Sequence, residues 1–383
     1  MAAVMLGLLR EGLPGEARVA LVPRSVHEVA DLGLTVVAEA GAGAAAGFPD
    51  AAYRAAGARV VRTREAASAD LVVSVRRPTV DTLGPLRHGR ILVGLLRPMD
   101  APFVIRRWAD EGATLISLDQ LPAAAASASP LDAASAQAGI AGYKAVVVAA
   151  DRLGRELADH FTGPAQVLVL GGGPAGVRAV ETARSLGAAV YAQGGDARAR
   201  AALTAAGAQL VKARERLDAR AQLVDAGGRP GDAGGPGRSW VFPALPPVDV
   251  VISTSEPVDA DRPALIGDDA LRTLRPGSVV VDLACGPYGR TIAAAEPGIE
   301  RVTGNGVIVI GAGDLAARVP VTASAAFSDS VTALLSHLVH EGVPVVDLAE
   351  PALAELVVSH AGTIRHEGVL RRLAAMTAAA GLP

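Results

Sequence analysis

Residues 167–176 read Val-Leu-Val-Leu-Gly-Gly-Gly-Pro-Ala-Gly, and this stretch is the clearest indication of the fold. The four apolar residues predict a buried strand that ends in a G-x-G-x-x-G turn. A helix is expected over Val177–Leu186, and the next strand over Ala189–Ala192. Glycines at this spacing allow a tight turn, close approach of the backbone to a pyrophosphate, and close helix–strand packing. The pattern predicts a dinucleotide site, with a purely structural turn as the alternative.

The start of the expected helix supplies the phosphate-binding groups. A helix N-terminus presents unpaired backbone N–H groups and a partial positive charge, both of which favour an anion. We therefore assign Gly171, Gly173, Pro174, Ala175 and Gly176 to cofactor binding. The expected cofactor is NAD or NADP.

The composition excludes several classes of protein. A chain of 383 residues suits two domains rather than one. Its net charge of −3 argues against a nucleic-acid surface, which needs a basic stripe. No apolar run reaches the roughly 18 residues of a membrane span, and the first residues do not resemble a signal peptide. The single cysteine, Cys285, excludes an internal disulfide framework and fits a reducing cytoplasm, where we expect the protein.

Apolar strand-like runs alternate with helical stretches along the chain, which is the pattern of parallel α/β architecture. Strands are expected at Met5–Leu9, Thr35–Ala38, Leu71–Val75, Ile91–Gly94, Thr114–Ser117, Val167–Leu170, Ala189–Ala192, Val248–Ser253, Val279–Leu283 and Glu355–Ser359. Helices are expected at Ser25–Asp31, Asp50–Ala56, Ala133–Phe161 and Ser328–His340.

We predict two Rossmann-like α/β domains with a ligand-binding cleft between them. The first, on the substrate side, comprises residues 1–128 and 335–383. The second, residues 129–334, is the dinucleotide-binding domain with a doubly wound parallel sheet. Gly and Pro crowd residues 225–247, so this segment is expected to be a loop insertion in the second domain.

A series of motifs in order resembles one protein family. The motifs are Glu16–Pro23, Glu39–Gly43, Gly47–Asp50, Asp132–Ala145, Arg262–Ala264, Arg275–Ala284, Arg318–Ser324 and Val357–Gly362. They are similar to the soluble NAD(H)-binding N-terminal region of proton-translocating NAD(P) transhydrogenase α subunits, which shares its fold with alanine dehydrogenases. The resemblance covers nearly the whole chain and implies an NAD(P)-dependent oxidoreductase that forms a homodimer.

The resemblance also implies roles for individual residues. In the transhydrogenases, a loop bearing Arg, Gln and Asp, followed by a Ser, holds the nicotinamide. Asp132 and Ser135 stand at the last two positions and are our candidates for that role. Gln137 and Thr254 are assigned to cofactor binding by the same resemblance.

Two positions of that loop depart from the family. Ala123 stands at the Arg position, and Ser129 lies near the Gln position. These changes remove the hydrogen-bond donors best suited to a carboxamide or a phosphate. Full transhydrogenase activity is therefore not expected from the sequence.

The acid that normally binds the adenosine ribose is displaced. The family places an Asp at the end of the second strand, where this chain has Gly194. Asp196 follows two residues later, and Arg198 and Arg200 lie beyond it. Three interpretations stay open: Asp196 reaches the ribose, the arginines admit the 2′-phosphate of NADP, or cofactor binding is weakened.

The alanine dehydrogenase branch requires an Arg, a Lys, a His and an Asp at its substrate. Arg18 fits the first position, but Arg76, Arg97 and Gly286 stand at the other three. Because arginine stays protonated, it cannot shuttle the proton that oxidative deamination needs. What remains is an anion cradle of Arg18, Arg76 and Arg97, suited to a small carboxylate substrate, and we take Arg18 and Arg76 as catalytic candidates.

The remaining reactive side chains are expected to be structural. His337 and His340 are three residues apart on a predicted helix, but no acidic residue or cysteine completes a metal set, so no metal is expected. His360 is expected to close a turn, and Cys285 to act as a small buried hydrophobic residue.

Hydride transfer to or from a nicotinamide cofactor in the interdomain cleft is therefore the function that the sequence favours. Three settings remain open. The chain is a soluble component that works with membrane transhydrogenase subunits at the inner membrane, a stand-alone enzyme of a small-molecule pathway, or a non-catalytic nucleotide-binding homologue.

Overall fold

A computed structural model describes residues 4–84, 89–122, 129–211, 224–225, 240–241, 247–255, 264–286 and 289–379 of the chain. Ala123, the start of the motif at Arg262, and most of the insertion expected at 225–247 lie outside the described residues.

Strands and helices alternate along most of the described chain. The strands are β1 Met5–Leu8, β2 Thr35–Glu39, β3 Arg59–Val61, β4 Leu71–Arg76, β5 Ile91–Leu95, β6 Thr114–Ser117, β7 Gln166–Leu170, β8 Ala189–Gln193, β9 Gln209–Leu210, β10 Val224–Asp225, β11 Trp240–Val241, β12 Val250–Ser253, β13 Val279–Asp282, β14 Glu300–Val302, β15 Ile308–Gly311, β16 Val339–His340, β17 Val343–Pro344, β18 Val357–His360 and β19 Thr363–Ile364. The helices are α1 Pro23–Asp31, α2 Asp50–Ala55, α3 Thr63–Ala66, α4 Val80–Leu83, α5 Pro102–Asp110, α6 Ala133–Arg152, α7 Pro174–Ser185, α8 Ala197–Ala205, α9 Asp268–Leu271, α10 Pro320–Leu338, α11 Pro351–Leu356 and α12 Glu367–Ala379.

The chain divides into two structural units. Unit 1 comprises Met1–Gln137 and Ala317–Pro383, and unit 2 comprises Ala138–Ala316. The second boundary was expected at 334/335, whereas the structure places it at 316/317. The reason is that α10 buries one face, including Phe327, Val331 and Leu334, in the main core of unit 1.

Each unit is built on a parallel sheet with the same strand order. In unit 1 the order is β19-β18-β6-β5-β4-β1-β2-β3, with β18 and β19 antiparallel at one edge. In unit 2 it is β14-β15-β13-β12-β7-β8-β9, with only β14 antiparallel. Numbering the six parallel strands of either unit in chain order gives 3-2-1-4-5-6. This is the doubly wound Rossmann order, and it confirms the expected fold class.

The strands of unit 2 form because β-branched and leucine side chains fill both faces of the sheet. Along β7, Val167 and Val169 belong to one hydrophobic cluster, whereas Leu168 and Leu170 belong to another. The strands of unit 1 alternate in the same way between two clusters. Helices therefore cover both faces of each sheet, and ligand-accessible positions lie at the ends of the strands.

Several of the expected elements have other bounds, and the helix expected at Ser328–His340 spans Pro320–Leu338 as α10. The long helix ends at Arg152 instead of Phe161, because Gly154 lies two residues further on and a glycine weakens a helix interior. The strand expected at Glu355–Ser359 is divided: a short helix continues to Leu356, and β18 begins at Val357.

Candidate functional site

The glycine turn, residues 171–176, follows the first strand of the unit 2 sheet. β7 ends at Leu170, and α7 begins at Pro174 with Gly173 as its N-cap. Gly171 has a φ of +106°, in the left-handed region that favours glycine. Its backbone N–H donates to the carbonyl of Gln193 at 2.9 Å, which ties the turn to the end of β8.

Each glycine of the turn meets different surroundings. A Cβ on Gly176 would lie 1.9 Å from the carbonyl oxygen of Gly171, so the helix can only pack this closely without a side chain. A Cβ on Gly171 would lie 2.5 Å from Oγ1 of Thr254. A Cβ on Gly173 would have no neighbour within 4 Å. The middle glycine thus leaves open space at the backbone, as an approaching pyrophosphate requires.

Thr254 packs against the glycine turn. It follows β12, the strand on the other side of β7 from β8. Its backbone N–H and its hydroxyl both donate to the carbonyl of Leu170, at 2.8 and 3.0 Å. Gly171 and Thr254 therefore meet where the strand order reverses, between β7 and β12. In open α/β sheets this switch point is where ligands bind.

The first turn of α7 offers hydrogen-bond donors. The ladder of the helix begins with the bond from Val177 N to Gly173 O at 3.0 Å, so the N–H groups of Ala175 and Gly176 precede it. Pro174 has no N–H and is favoured at this position by its fixed φ. Helix α6 packs behind, since a Cβ on Gly142 would lie 2.0 Å from the carbonyl oxygen of Ala175.

Asp196 lies beside this turn as a helix cap. It is the N-cap of α8, and its Oδ1 accepts the backbone N–H of Ala199 at 2.7 Å. Ala199 is the contact between the two loops: a Cβ on Gly172 would lie 2.5 Å from its Cβ, and a Cβ on Gly194 would lie 2.9 Å from it. The first turn of α8 therefore packs directly on the glycine turn.

Arg18 is a buried, fully engaged cation in unit 1. Its Nε and Nη2 donate to the carboxylate of Glu16 at 2.7 and 2.6 Å, and its Nη1 donates to Oε1 of Gln137 at 2.8 Å. Gln137 in turn donates to the carbonyl of Ala323 at 2.9 Å. Arg18 and Gln137 were assigned to substrate and cofactor, and the structure places both within this protein network.

Arg76 and Arg97 lie at the carboxyl ends of neighbouring strands. Arg76 ends β4, is about one quarter exposed, and has its Nε 3.8 Å from the carboxylate of Glu16. Arg97 follows β5, pairs with Asp100 at 2.6 Å and has a φ of +46°. A non-glycine residue in this region carries strain, which is concentrated at functional sites.

Glu11 is a site residue that the sequence reasoning missed. It follows β1, and its carboxylate accepts the backbone N–H groups of Val75 at 2.6 Å and Arg76 at 3.2 Å. It therefore joins β1 to β4, at the switch point of the unit 1 sheet. Burial raises the pKa of Glu11 to about 7, and the charge of Glu16 adds to this shift. The available signal was an acidic residue in the loop that follows the first strand, three residues after Leu8.

A cavity of about 30 Å³ adjoins Glu11, lined also by Ser74 and Arg76. This volume is enough for a water molecule but not for a substrate. The hydroxyl of Ser74 is buried and has no hydrogen-bond partner among the described residues.

Asp132 and Ser135 are brought together at the start of α6. Oδ1 of Asp132 accepts the backbone N–H of Ser135 at 2.9 Å, which is an N-cap contact. Both residues are half-buried and belong to unit 1, whereas the glycine turn belongs to unit 2.

Of the other side chains considered from the sequence, His360 and His337 have polar partners. His360 ends β18 before a turn and contacts the Thr114 hydroxyl at 3.0 Å. Burial raises the pKa of Cys285 to about 11, so its thiol is protonated at neutral pH. His337 pairs with Glu350 at 2.7 Å. Within the described ranges there is no cluster of three or more metal-ligating side chains, and no described helix has the length and hydropathy of a transmembrane span.

The fold and the switch-point turn define a two-unit α/β protein with the features of a dinucleotide-binding protein. The chain belongs to the alanine dehydrogenase/PNT family. The family's N-terminal domain matches residues 7–141, and its C-terminal domain matches residues 145–367.

Relatives agree with this assignment. The chain is 34% identical to the NAD(P) transhydrogenase subunit alpha of Cereibacter sphaeroides, over 98% of this chain and 73% of the relative. It is 29% identical to the first part of the NAD(P) transhydrogenase subunit alpha of Rhodospirillum rubrum, over 94% of this chain and 97% of the relative. The solved structure of a transhydrogenase from Sinorhizobium meliloti superposes with a TM-score of 0.78 at 30% identity, covering 94% of this chain and 99% of that one.

Proposed function

We propose that this protein is an NAD(P)-dependent oxidoreductase that transfers hydride, as the NAD(H)-binding component of a transhydrogenase does. The observation that carries the proposal is the switch-point turn, in which Gly171 packs on Thr254 while the Gly173 backbone faces open space. The kinship with transhydrogenase α subunits supports the reaction class.

The residues of unit 2 fit a dinucleotide. The N–H groups of Ala175 and Gly176 would hold the pyrophosphate, and the N-terminus of α7 would stabilise its charge. The bound nicotinamide supplies the hydride chemistry, and the protein supplies position and electrostatics. We assign Asp132 and Ser135 to the nicotinamide by family position.

A second candidate is a dehydrogenase of a small carboxylate-bearing molecule. The observation in its favour is Glu11, a carboxyl group with a pKa of about 7 at the unit 1 switch point. Such a group can exchange a proton near neutral pH. Arg76 is about one quarter exposed whereas Arg18 is buried, so Arg76 is the better candidate for contact with a substrate carboxylate.

The setting of the protein belongs to the same proposal. We place it in the cytoplasm, as a homodimer, and at the inner membrane if it works with membrane transhydrogenase subunits. The similarity to the Rhodospirillum rubrum protein, of which this chain covers 97%, supports such an association.

Binding of NADH and NADPH, measured by calorimetry, tests the proposal. Gly173→Val puts a branched side chain into the space reserved for the pyrophosphate, and we expect it to abolish binding of both dinucleotides. Gly267→Val is the matched control, because Gly267 is also a helix N-cap with extended backbone and an open Cβ position. Unchanged affinity in Gly173→Val, or equal loss in both variants, would contradict this placement.

A further inference from the structure

The end of β8 has no room for the carboxylate that usually binds the adenosine ribose. That position is Gly194, where a Cβ would lie 2.9 Å from both the Cβ of Ala199 and the backbone nitrogen of Arg200. The strand itself ends in Gln193, and Gly195 follows. The last residue of β8 and the two residues after it therefore carry no carboxylate. The packing of α8 on this loop leaves no space for one at residue 194.

The nearest acid is already engaged. Asp196 caps α8 through the amide of Ala199, a contact that holds its carboxylate at the helix terminus. Turning this carboxylate toward a ribose hydroxyl would break its contact with the amide of Ala199 and weaken the cap of α8.

Two arginines flank the contact between the loops. Arg198 and Arg200 stand on either side of Ala199, the residue that packs against Gly172 of the glycine turn. Both are exposed, and Nη1 of Arg200 lies 3.4 Å from the carbonyl oxygen of Gly195, over the loop that ends β8. With Asp196 included, residues 194–200 carry a net charge of +1. An NAD-type ribose site would carry a negative charge there.

We propose that this surface takes the 2′-phosphate of an adenosine ribose, so that the preferred cofactor is NADP(H). This inference rests on the proposed function, since it concerns the same dinucleotide site. Arg198 and Arg200 are the specificity-determining residues: guanidinium groups bind phosphate oxygens by charge-assisted hydrogen bonds. Gly194 contributes because it has no carboxylate. A carboxylate at this position would repel the phosphate and would favour a ribose with two free hydroxyls.

Calorimetry with NADPH, NADH, 2′,5′-ADP and 5′-ADP tests the inference. We expect NADPH to bind at least about tenfold more tightly than NADH, and 2′,5′-ADP to exceed 5′-ADP by a similar factor, because charge-assisted bonds of this kind are worth about that much. The double variant Arg198→Ala/Arg200→Ala should lose about tenfold or more in NADPH affinity and keep NADH affinity within about twofold. Arg272→Ala, which removes an exposed, ion-paired arginine elsewhere in unit 2, is the matched control and should change neither.

The outcomes separate this inference from the proposed function. If NADH binds as tightly as NADPH or more tightly, the 2′-phosphate site is wrong while the dinucleotide site stands. If the double variant lowers the affinity for NADPH and for NADH by the same factor, the arginines do not bind the 2′-phosphate and the inference is likewise wrong. If neither dinucleotide binds, the proposed function fails and this inference fails with it. Circular dichroism and melting temperature of each variant establish that it is folded.

Discussion

The carboxylate of Glu16 accepts hydrogen bonds from Nε and Nη2 of the Arg18 guanidinium, at 2.7 and 2.6 Å. Both side chains are almost completely buried. The pair lies next to Arg76 and Arg18 donates to Gln137, so four residues from three separate parts of the sequence form one polar network. Buried charges of this kind are expensive to separate, because the partner left behind cannot recover its hydration.

Glu16→Gln should therefore lower the free energy of unfolding by about 3 kcal/mol, since it removes the negative charge that the buried Arg18 guanidinium contacts. Urea denaturation of the variant measures this. The double variant Glu16→Gln/Arg18→Met should recover much of the loss. Glu65→Gln, which breaks the exposed pair with Arg59, is the control and should cost less than about 1 kcal/mol. Similar losses in both single variants would show that Arg18 does not depend on Glu16.

A methyl group added at two different glycines of the turn should affect stability very differently. Gly176→Ala would put a Cβ 1.9 Å from the Gly171 carbonyl oxygen, so we expect a loss of at least about 3 kcal/mol or failure to fold. Gly173→Ala meets open space at a φ of −74°, and its stability should stay within about 1 kcal/mol. Thermal and urea unfolding of the two proteins compare them directly. Equal stabilities would mean that α7 does not pack on the turn as described.

Glu11 predicts a pH dependence of stability. Its pKa is about 7 in the folded protein and close to 4.5 in the unfolded chain, so the folded state binds the proton more tightly. The stabilisation is fully present below about pH 4.5 and is lost as the pH rises through 7, by about 3 kcal/mol at most.

Glu11→Gln should remove this contribution, because an amide does not titrate. We expect the difference in unfolding free energy between the variant and the parent to change between pH 4.5 and 7 and to be flat from pH 8 upward. Measuring both proteins at each pH cancels the other carboxyl groups. A difference that stays constant across this range would show that Glu11 ionises normally.

Asp132 has a capping role that can be separated from a role at the cofactor. Asp132→Ala should cost about 1 kcal/mol, because the Ser135 N–H loses its acceptor, whereas Asp132→Asn should retain the cap and most of the stability. If the carboxylate also holds the nicotinamide, Asp132→Asn should weaken binding of NADPH but not of a fragment without nicotinamide, 2′,5′-ADP. Calorimetry with both ligands decides, and equal affinities in parent and variant would leave Asp132 a cap only.

Much of the fold could be predicted from the sequence because it depends on local patterns. The Val- and Leu-rich runs predicted β1, β4 and β7 nearly to the residue, since parallel strands are buried on both faces. The glycine spacing predicted the turn because its backbone requirements are local. The ends of α6 and α10 were missed by several residues, since helix ends depend on what the last turns pack against.

The candidate site can likewise be divided into features that local sequence patterns predict and features that depend on tertiary packing. The order of residues alone established the doubly wound class, the position of Gly171, Gly173 and Gly176, and the absence of an acid at Gly194, because each is written within one segment. Tertiary contacts were needed to show that Thr254 lies under the turn, that Gln137 accepts a hydrogen bond from the guanidinium of Arg18, and that Glu11 is buried against β4. These facts join residues 60 or more positions apart or depend on burial from water, and no local pattern encodes which distant side chain meets a charge.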